Sequence, residues 1–234
     1  DMPYRRLPNT DKARIRSLEK AVQTMRNNLY YRPVLPPDLL SNAERILVQF
    51  RELSNRYVKS FEEQTNFSKS DAYQHKLKNA RMYVSHFLTV FNLSVKRGEI
   101  KKTERVYYSL PEDCGENPDL SSEASVLRWG ENVIKGEQQR TAKGGIPIYN
   151  PTIGKVSVHY ELFKEQYKKQ IQLKQTTDEC LAVVTLLRPQ VDEIILEVWN
   201  SIESFFSDLE GEARIKACEE YGVIYYYRKG EKDD

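Results

Sequence analysis

The chain has 234 residues, with 36 Lys and Arg against 34 Asp and Glu, so its net charge is only +2. This balance lacks the strong positive field of most nucleic-acid or membrane-surface binders, and we therefore expect neither partner. Charged residues make up 30% of the chain, while Gly and Pro contribute only 10 residues each. Such a composition favours helices over sheets or disorder.

The three cysteines, Cys114, Cys180 and Cys218, are odd in number and widely spaced. They form no Cys-x-x-Cys pair, so the sequence suggests neither a zinc site nor a disulfide framework. A reducing, cytoplasmic setting fits this pattern best. No apolar run reaches the roughly 18 residues that a membrane helix needs, and no apolar stretch follows the first residues as it would in a signal peptide.

The first half of the chain predicts three helices. A short helix over about 11–28 is capped by Thr10 or Asn9, and the proline-rich stretch 30–37 that follows must be extended. The next two helices carry heptad-like apolar seams. These seams are Leu39, Ala43, Ile46, Phe50, Leu53 and Tyr57 in the second helix, and Tyr73, Leu77, Ala80, Val84, Phe87 and Phe91 in the third. Gly98 ends the third helix, and Val106–Tyr108 is predicted to be extended.

The second half repeats this plan after a polar loop, residues 111–121. Ser121 or Ser122 caps a short helix, and a Gly- and Pro-containing linker, residues 143–151, leads into a long helix. Apolar positions of this helix are Val156, Tyr160, Phe163, Tyr167 and Ile171. The last long helix carries Val191, Ile195, Val198, Ile202, Phe205 and Leu209. A short helix at about 211–221 then precedes an extended segment, 223–227, and a polar tail.

Pro189 allows two interpretations of the last long helix. Proline is well placed in the first turn of a helix, and the repeat favours a helix that starts there. Leu181 and Val184 keep the same apolar phase, however, so Pro189 could instead kink a longer helix that begins near Asp178.

The two halves indicate an internal duplication at an offset of 118 positions. Tyr31-Arg32-Pro33 recurs as Tyr149-Asn150-Pro151, and Val106-Tyr107-Tyr108 recurs as Ile224-Tyr225-Tyr226. We therefore predict an all-α fold: an antiparallel four-helix bundle with pseudo-twofold symmetry, short extra helices and two short extended Tyr-rich segments. The bundle is expected to be a single domain over 1–234, with repeat 1 at about 8–110, repeat 2 at about 122–228 and an acidic linker at 111–121.

Motifs that carry chemistry are missing from the sequence. None of the three histidines, His75, His86 and His159, follows an acid three positions earlier, as a di-iron bundle requires. The chain also contains no Gly-x-Ser-x-Gly elbow and no phosphate-binding loop. We predict no catalytic residue, no metal site and no cofactor, and the chain is more readily interpreted as a binding protein than as an enzyme.

Aromatic clusters are the best candidates for binding. Tyrosine is frequent among interface anchors, although the same residues can cap the ends of a bundle with their hydroxyl groups hydrogen-bonded at the rim. Other aromatic and polar residues lie near the linkers. The candidate binding residues are Tyr107, Tyr108, Tyr225, Tyr226, Tyr227, Trp129, Glu131, Tyr31, Tyr149 and Asn150.

Several stretches resemble an uncharacterised family of bacterial helical proteins with no known activity. They are Tyr4 to Asp11, Trp129 to Asn132, Asn150 to Ile153 and Tyr221 to Tyr225. The resemblance spans most of the chain and implies a bacterial, single-domain helical protein.

Three functions remain open at this stage. The first is a non-enzymatic module for protein–protein interaction or assembly, which includes self-association as a homodimer, and which serine replacements at Tyr107, Tyr108, Tyr225 and Tyr226 should disable without unfolding. The second is a small-molecule binder or an unrecognised enzyme with a pocket between linkers and bundle. The third is a nucleic-acid adaptor that uses a basic stripe: Lys164, Lys168, Lys169 and Lys174.

Overall fold

A computed structural model describes residues 3–28, 30, 32–113 and 115–231. The α-helices are α1 (Asp11–Asn27), α2 (Pro37–Lys69), α3 (Asp71–Lys96), α4 (Glu123–Ala142), α5 (Ile153–Phe205) and α6 (Gly211–Glu220). A 3-10 helix covers Lys102–Tyr108, and two short strands, β1 (Tyr4–Arg5) and β2 (Tyr225–Tyr226), pair antiparallel. The all-α prediction is therefore confirmed.

Helix boundaries follow from local capping. The hydroxyl oxygens of Thr10, Ser70 and Ser122 accept hydrogen bonds from backbone N–H groups of α1, α3 and α4, at 3.1, 3.3 and 3.1 Å. Each bond satisfies one of the donors that a helix start leaves unpaired. The predicted starts of α1 and α4 are correct.

Pro189 lies inside α5, so of the two interpretations that the sequence allows, the helix that starts at Pro189 is wrong and the longer helix that runs through it is correct. Proline removes one helical hydrogen bond and clashes with the preceding turn, at a cost of about 3 kcal/mol. Val184 and Leu187 before it, and Val191 and Ile195 after it, are all buried. Because these four side chains keep one apolar phase, their packing offsets the cost of the proline, and the helix continues.

The chain forms two compact units. Unit 1 comprises Asp1–Phe61 and Thr176–Asp234, and unit 2 comprises Glu62–Gln175. Each unit draws residues from both predicted repeats. The single domain and its repeat boundaries stay predictions.

Unit 1 has a core built by α1, the start of α2 and the end of α5. Leu18, Phe50, Ile195 and Trp199 are among its fully buried side chains. The indole Nε1 of Trp199 donates a hydrogen bond to Ser17 Oγ at 3.1 Å. The buried N–H group is therefore not left without an acceptor.

Unit 2 has a core around the apolar seam of α3. Tyr73, Leu77, Val84, Phe87 and Phe91 are buried there, as the seam predicts. The hydroxyl of Tyr73 donates to Glu123 at 2.8 Å, which joins the starts of α3 and α4. Phe163 of α5 packs edge-on against Tyr73, with ring centroids 5.8 Å apart.

Two other seam predictions are wrong. Ile171 in α5 and Leu209 after it are exposed, at 44% and 39%. Apolar spacing alone does not reveal where a helix loses its neighbours, so both residues fit the pattern without being covered.

Candidate functional site

A buried polar network joins α4, the 3-10 helix and the loop 143–152, which we call the α4–α5 loop. The Arg140 guanidinium donates to Tyr108 Oη at 2.9 Å, to Glu137 Oε1 at 2.7 Å and to the Ile146 carbonyl at 2.6 Å. Tyr108 Oη donates to Glu137 Oε2 at 3.2 Å. The side chains of Arg140 and Glu137 are each only 1% exposed. The network therefore fixes the loop to the core of unit 2.

Burial changes the proton affinities in this network. Desolvation raises the pKa of Glu137, although Arg140 and the hydroxyl of Tyr108 lower it in part. Desolvation also raises the pKa of Tyr108, with a further contribution from the charge of Glu137. For Arg140, burial lowers the pKa, but contacts with Tyr108 and Glu137 outweigh this and raise it overall.

Two glycines allow the elements around the network to approach closely. A Cβ atom at Gly136 would lie 2.5 Å from the carbonyl oxygen of Tyr107. A Cβ atom at Gly145 would lie 2.8 Å from both the guanidinium and the carbonyl oxygen of Arg140. Both distances are shorter than any normal contact, so only glycine fits at these positions without movement of the chain.

A second polar network holds the other side of the 3-10 helix. Arg105 donates to the carbonyl oxygen of Pro111 at 2.6 Å and to the side-chain oxygen of Asn92. Asn92 in turn donates to Asn117 at 2.8 Å. The short helix is thus anchored to α3 and to the loop 111–121 as well as to α4.

Large apolar side chains are displayed on this anchored framework. Ile146 and Tyr149 of the α4–α5 loop are each 74% exposed, and Val106 of the 3-10 helix is 71% exposed. Ile148, between the two loop residues, is buried in the core. The loop therefore turns one side chain inward as an anchor and two outward. We call Val106, Ile146 and Tyr149 the display surface.

Only some of the predicted binding residues of unit 2 lie on or next to the display surface. Tyr149 is on the display surface, and Asn150 is exposed beside it. Tyr107 is half-buried, with the ammonium of Lys143 5.4 Å from its ring centroid. Tyr108 is fully buried, so its assignment to a binding surface is wrong. The hydroxyl of Tyr108 pairs inside the protein, and the ring packs 4.5 Å from that of Phe91.

The backbone at Tyr107 and Tyr108 also differs from the prediction. This segment is helical rather than extended, because Tyr108 must reach the core while Val106 faces outward. The proposed serine replacement at Tyr108 would remove core packing, so it cannot serve as a clean test of binding.

Trp129 and Glu131 lie earlier on α4, away from the network. Trp129 is half-buried, with the Arg128 guanidinium 5.1 Å from its ring centroid. Glu131 is exposed and pairs with Lys135 at 2.6 Å, in the i,i+4 spacing typical of a solvated helix face. Neither residue joins the display surface.

The second Tyr-rich segment belongs to unit 1. Tyr225 is half-buried and donates from its hydroxyl to Glu203 at 2.7 Å. Tyr226 and Tyr227 are exposed at 41% and 40%, and the ring of Tyr226 packs at a tilt against that of Tyr4 of β1, with centroids 5.7 Å apart. Tyr31, the remaining predicted site residue, lies outside the described residues.

The basic stripe on α5 has partners in the protein. The ammonium of Lys164 lies 5.5 Å from the ring centroid of Tyr160, and that of Lys169 lies 5.0 Å from the ring of Phe67. Ring contacts of this kind do not remove the charge of an ammonium group, so the nucleic-acid adaptor stays a prediction. The two described cysteines, Cys180 and Cys218, are free thiols, and Cys114 lies outside the described residues.

Sequence reasoning missed Ile146, Val106 and the buried Arg140–Glu137 pair. A signal for Ile146 existed, because Ile146-Pro147-Ile148-Tyr149 is an apolar run inside a loop. The pair gave no signal, since acid and arginine three positions apart on a helix are typical of an exposed ion pair.

Neither a metal-binding group nor a membrane-spanning helix occurs in the described ranges. No cluster of three or more His, Cys, Asp or Glu side chains could hold an ion there. No helix there combines the length and apolar character needed to cross a membrane. Among known proteins, no family model, no curated protein and no solved structure matches this chain.

Proposed function

We propose that the chain is a non-enzymatic helical module that binds another protein through the display surface. The observation that carries the proposal is the outward placement of Ile146 and Tyr149, three quarters exposed, on a loop whose backbone is clamped by buried Arg140. Exposed large apolar side chains cost solubility, and where they group on a surface they usually mark a contact site.

The hydrogen bond from Arg140 to the α4–α5 loop favours a role of the loop in recognition over a role in packing alone. A buried ion pair contributes little net stability, because desolvation of two charges offsets their attraction. The Arg140–Glu137 pair specifies the shape of the loop instead. A loop held in its binding conformation loses little entropy when a partner arrives, and aromatic anchors with few rotatable bonds keep that cost low.

Polar side chains accompany the apolar ones on the loop. Lys143 and Asn150 are exposed on the same loop. Interfaces commonly have an apolar centre with a polar border, and Tyr is enriched among the residues whose truncation costs most. This arrangement supports a protein partner, and a second copy of the chain is one form that such a partner can take.

The test compares proteins retained from a lysate of the native host by the tagged protein and by a double variant, Ile146→Ser with Tyr149→Ser. Both side chains are exposed, so thermal stability should stay close to that of the parent. The matched control is Val183→Ser with Leu186→Ser, which replaces two exposed apolar residues of α5 in unit 1. We expect partners that the control retains and the loop variant loses. Equal retention by both variants would contradict the proposal, and sedimentation identifies self-association.

The proposal includes the finer architecture inferred from sequence. We infer a duplicated four-helix bundle, in which α2 and α3 correspond to the first and last parts of α5. Two observations support this architecture. The repeat has an offset of 118 positions, and at this offset Ser70, which separates α2 from α3, corresponds to Arg188 in α5. Homologous sequences that preserve apolar character at both members of each pair would test it. A bacterial source and a cytoplasmic setting, which the family resemblance and the cysteine spacing favour, complete this proposal.

A further inference from the structure

A groove of about 540 Å³ lies in unit 1, between α1 and the turn that joins α6 to β2. Its volume is within the range of roughly 300–1,000 Å³ typical of small-molecule sites. On the α1 side it is lined by Ala13, Arg16, Ser17, Glu19, Lys20 and Gln23, and on the opposite side by Glu219, Gly222, Val223 and Ile224.

Gly222 lines the groove on the side opposite α1. This residue has a φ of +94°, and a Cβ atom there would lie 3.0 Å from Lys20 Cβ and 3.2 Å from the Ser17 carbonyl oxygen. Glycine therefore lets the chain turn against α1, with the stem of Lys20 packed on its backbone. Thr24 Oγ1 donates to the Glu220 carbonyl at 3.0 Å and holds the two walls together.

Two cations on the α1 wall are available to a ligand. Arg16 and Lys20 are four positions apart, so they lie on the same face of the helix, and both are exposed. Within the part of the chain that the structure describes, neither forms an ion pair. Glu19 between them is paired with Arg51, so Glu219 on the opposite wall is the one lining acid without an ion pair among the described residues.

We propose that this groove binds a small amphipathic carboxylate. Arg16 and Lys20 hold the anionic group through charge-assisted hydrogen bonds, and the apolar body lies against Ala13, Val223 and Ile224. Ile224 is 47% exposed, so a ligand there removes apolar surface from water. The site goes beyond the proposed protein interaction, because it lies in the other unit and recognises a different class of molecule.

Calorimetric titration of the full chain with octanoate tests the proposal. Octan-1-ol, which has the same chain without the charge, and acetate, which has the charge without the chain, should each bind at least about tenfold more weakly. Octanoate that fails to bind at millimolar concentration would overturn the proposal, as would octan-1-ol that binds equally well. Binding of an acidic peptide in place of octanoate would also overturn it.

Charge variants locate the site. Arg16→Gln with Lys20→Gln should weaken octanoate binding about tenfold, whereas Lys12→Gln, an exposed residue of α1 outside the groove, should leave it unchanged. Glu219→Gln removes the opposing charge and should tighten binding about twofold, a gain that damage to the fold cannot produce. Equal affinity in the double variant and the parent, or weaker binding in Glu219→Gln, would place the ligand elsewhere.

Discussion

The two Tyr-rich segments have nearly the same sequence and different structures. Val106-Tyr107-Tyr108 is a 3-10 helix in unit 2 whose last ring fills the core, while Ile224-Tyr225-Tyr226 in unit 1 is extended and pairs with β1. The difference arises from their neighbours: Gly136 lets α4 approach the first segment, and the second is hydrogen-bonded to the strand at the N-terminal end. Two segments of similar sequence can therefore differ in which tyrosines they expose to a partner.

The largest expected effect is a difference in stability between variants of the last tyrosine in each segment. Tyr108→Ala should lower the free energy of unfolding by about 3–5 kcal/mol, because it leaves a cavity and removes one hydrogen-bond partner each from Arg140 and Glu137. Tyr226→Ala should cost less than about 1 kcal/mol, since its ring packs against that of Tyr4 at the surface. Urea unfolding followed by circular dichroism measures both. Similar losses in the two variants would mean that Tyr108 is not the buried anchor described above.

A smaller effect is expected at the glycine that admits the 3-10 helix. Alanine usually stabilises a helix relative to glycine, but Gly136→Ala would push a methyl group against the Tyr107 carbonyl and should cost about 1–3 kcal/mol. Gly154→Ala in the first turn of α5 is the matched control, because its Cβ has open space. That variant should gain about 0.4–1 kcal/mol in the same unfolding assay. A gain in both variants would contradict the close approach at Gly136.

The smallest effect concerns pH. The pKa of Glu137 is raised in the folded protein, mainly by burial, so its protonated form is favoured there. Stability from this group is complete below the ordinary carboxyl pKa, near 4.5, and is lost as pH rises through the raised value. The stability of the parent minus that of Glu137→Gln should therefore fall with rising pH over this window. A difference that grows with pH would mean that folding lowers the pKa of Glu137, and it would contradict this prediction.

Much of the helical fold follows from the sequence. The seam of α3 and the caps Thr10 and Ser122 are read from spacing and side-chain chemistry, because both act over one or two turns. The sequence leaves the place of Pro189 open, because its local preference for a helix start competes with the packing of buried residues on both sides. That packing is a property of the assembled helix and is not visible in the proline itself.

The candidate site was less predictable than the fold. Tyr149 and Asn150 are candidates from the sequence because aromatic and polar residues stand out in a linker, and their role in binding stays a prediction. Glu137 and Arg140 were missed, since burial of an ion pair depends on neighbours distant in sequence. Tyr108 was assigned to the surface because the repeat made it look equivalent to Tyr226, although the two rings have unlike surroundings.

Hydrogen–deuterium exchange of the full chain tests the proposed interface most directly. The exchange is measured for the chain alone and with a partner that the parent retains and the Ile146→Ser, Tyr149→Ser variant loses. We predict added protection of amides in the α4–α5 loop and in the 3-10 helix, around Ile146, Tyr149 and Val106. Protection confined to unit 1, with the α4–α5 loop exchanging as in the free protein, would contradict the assignment of the display surface as the binding site.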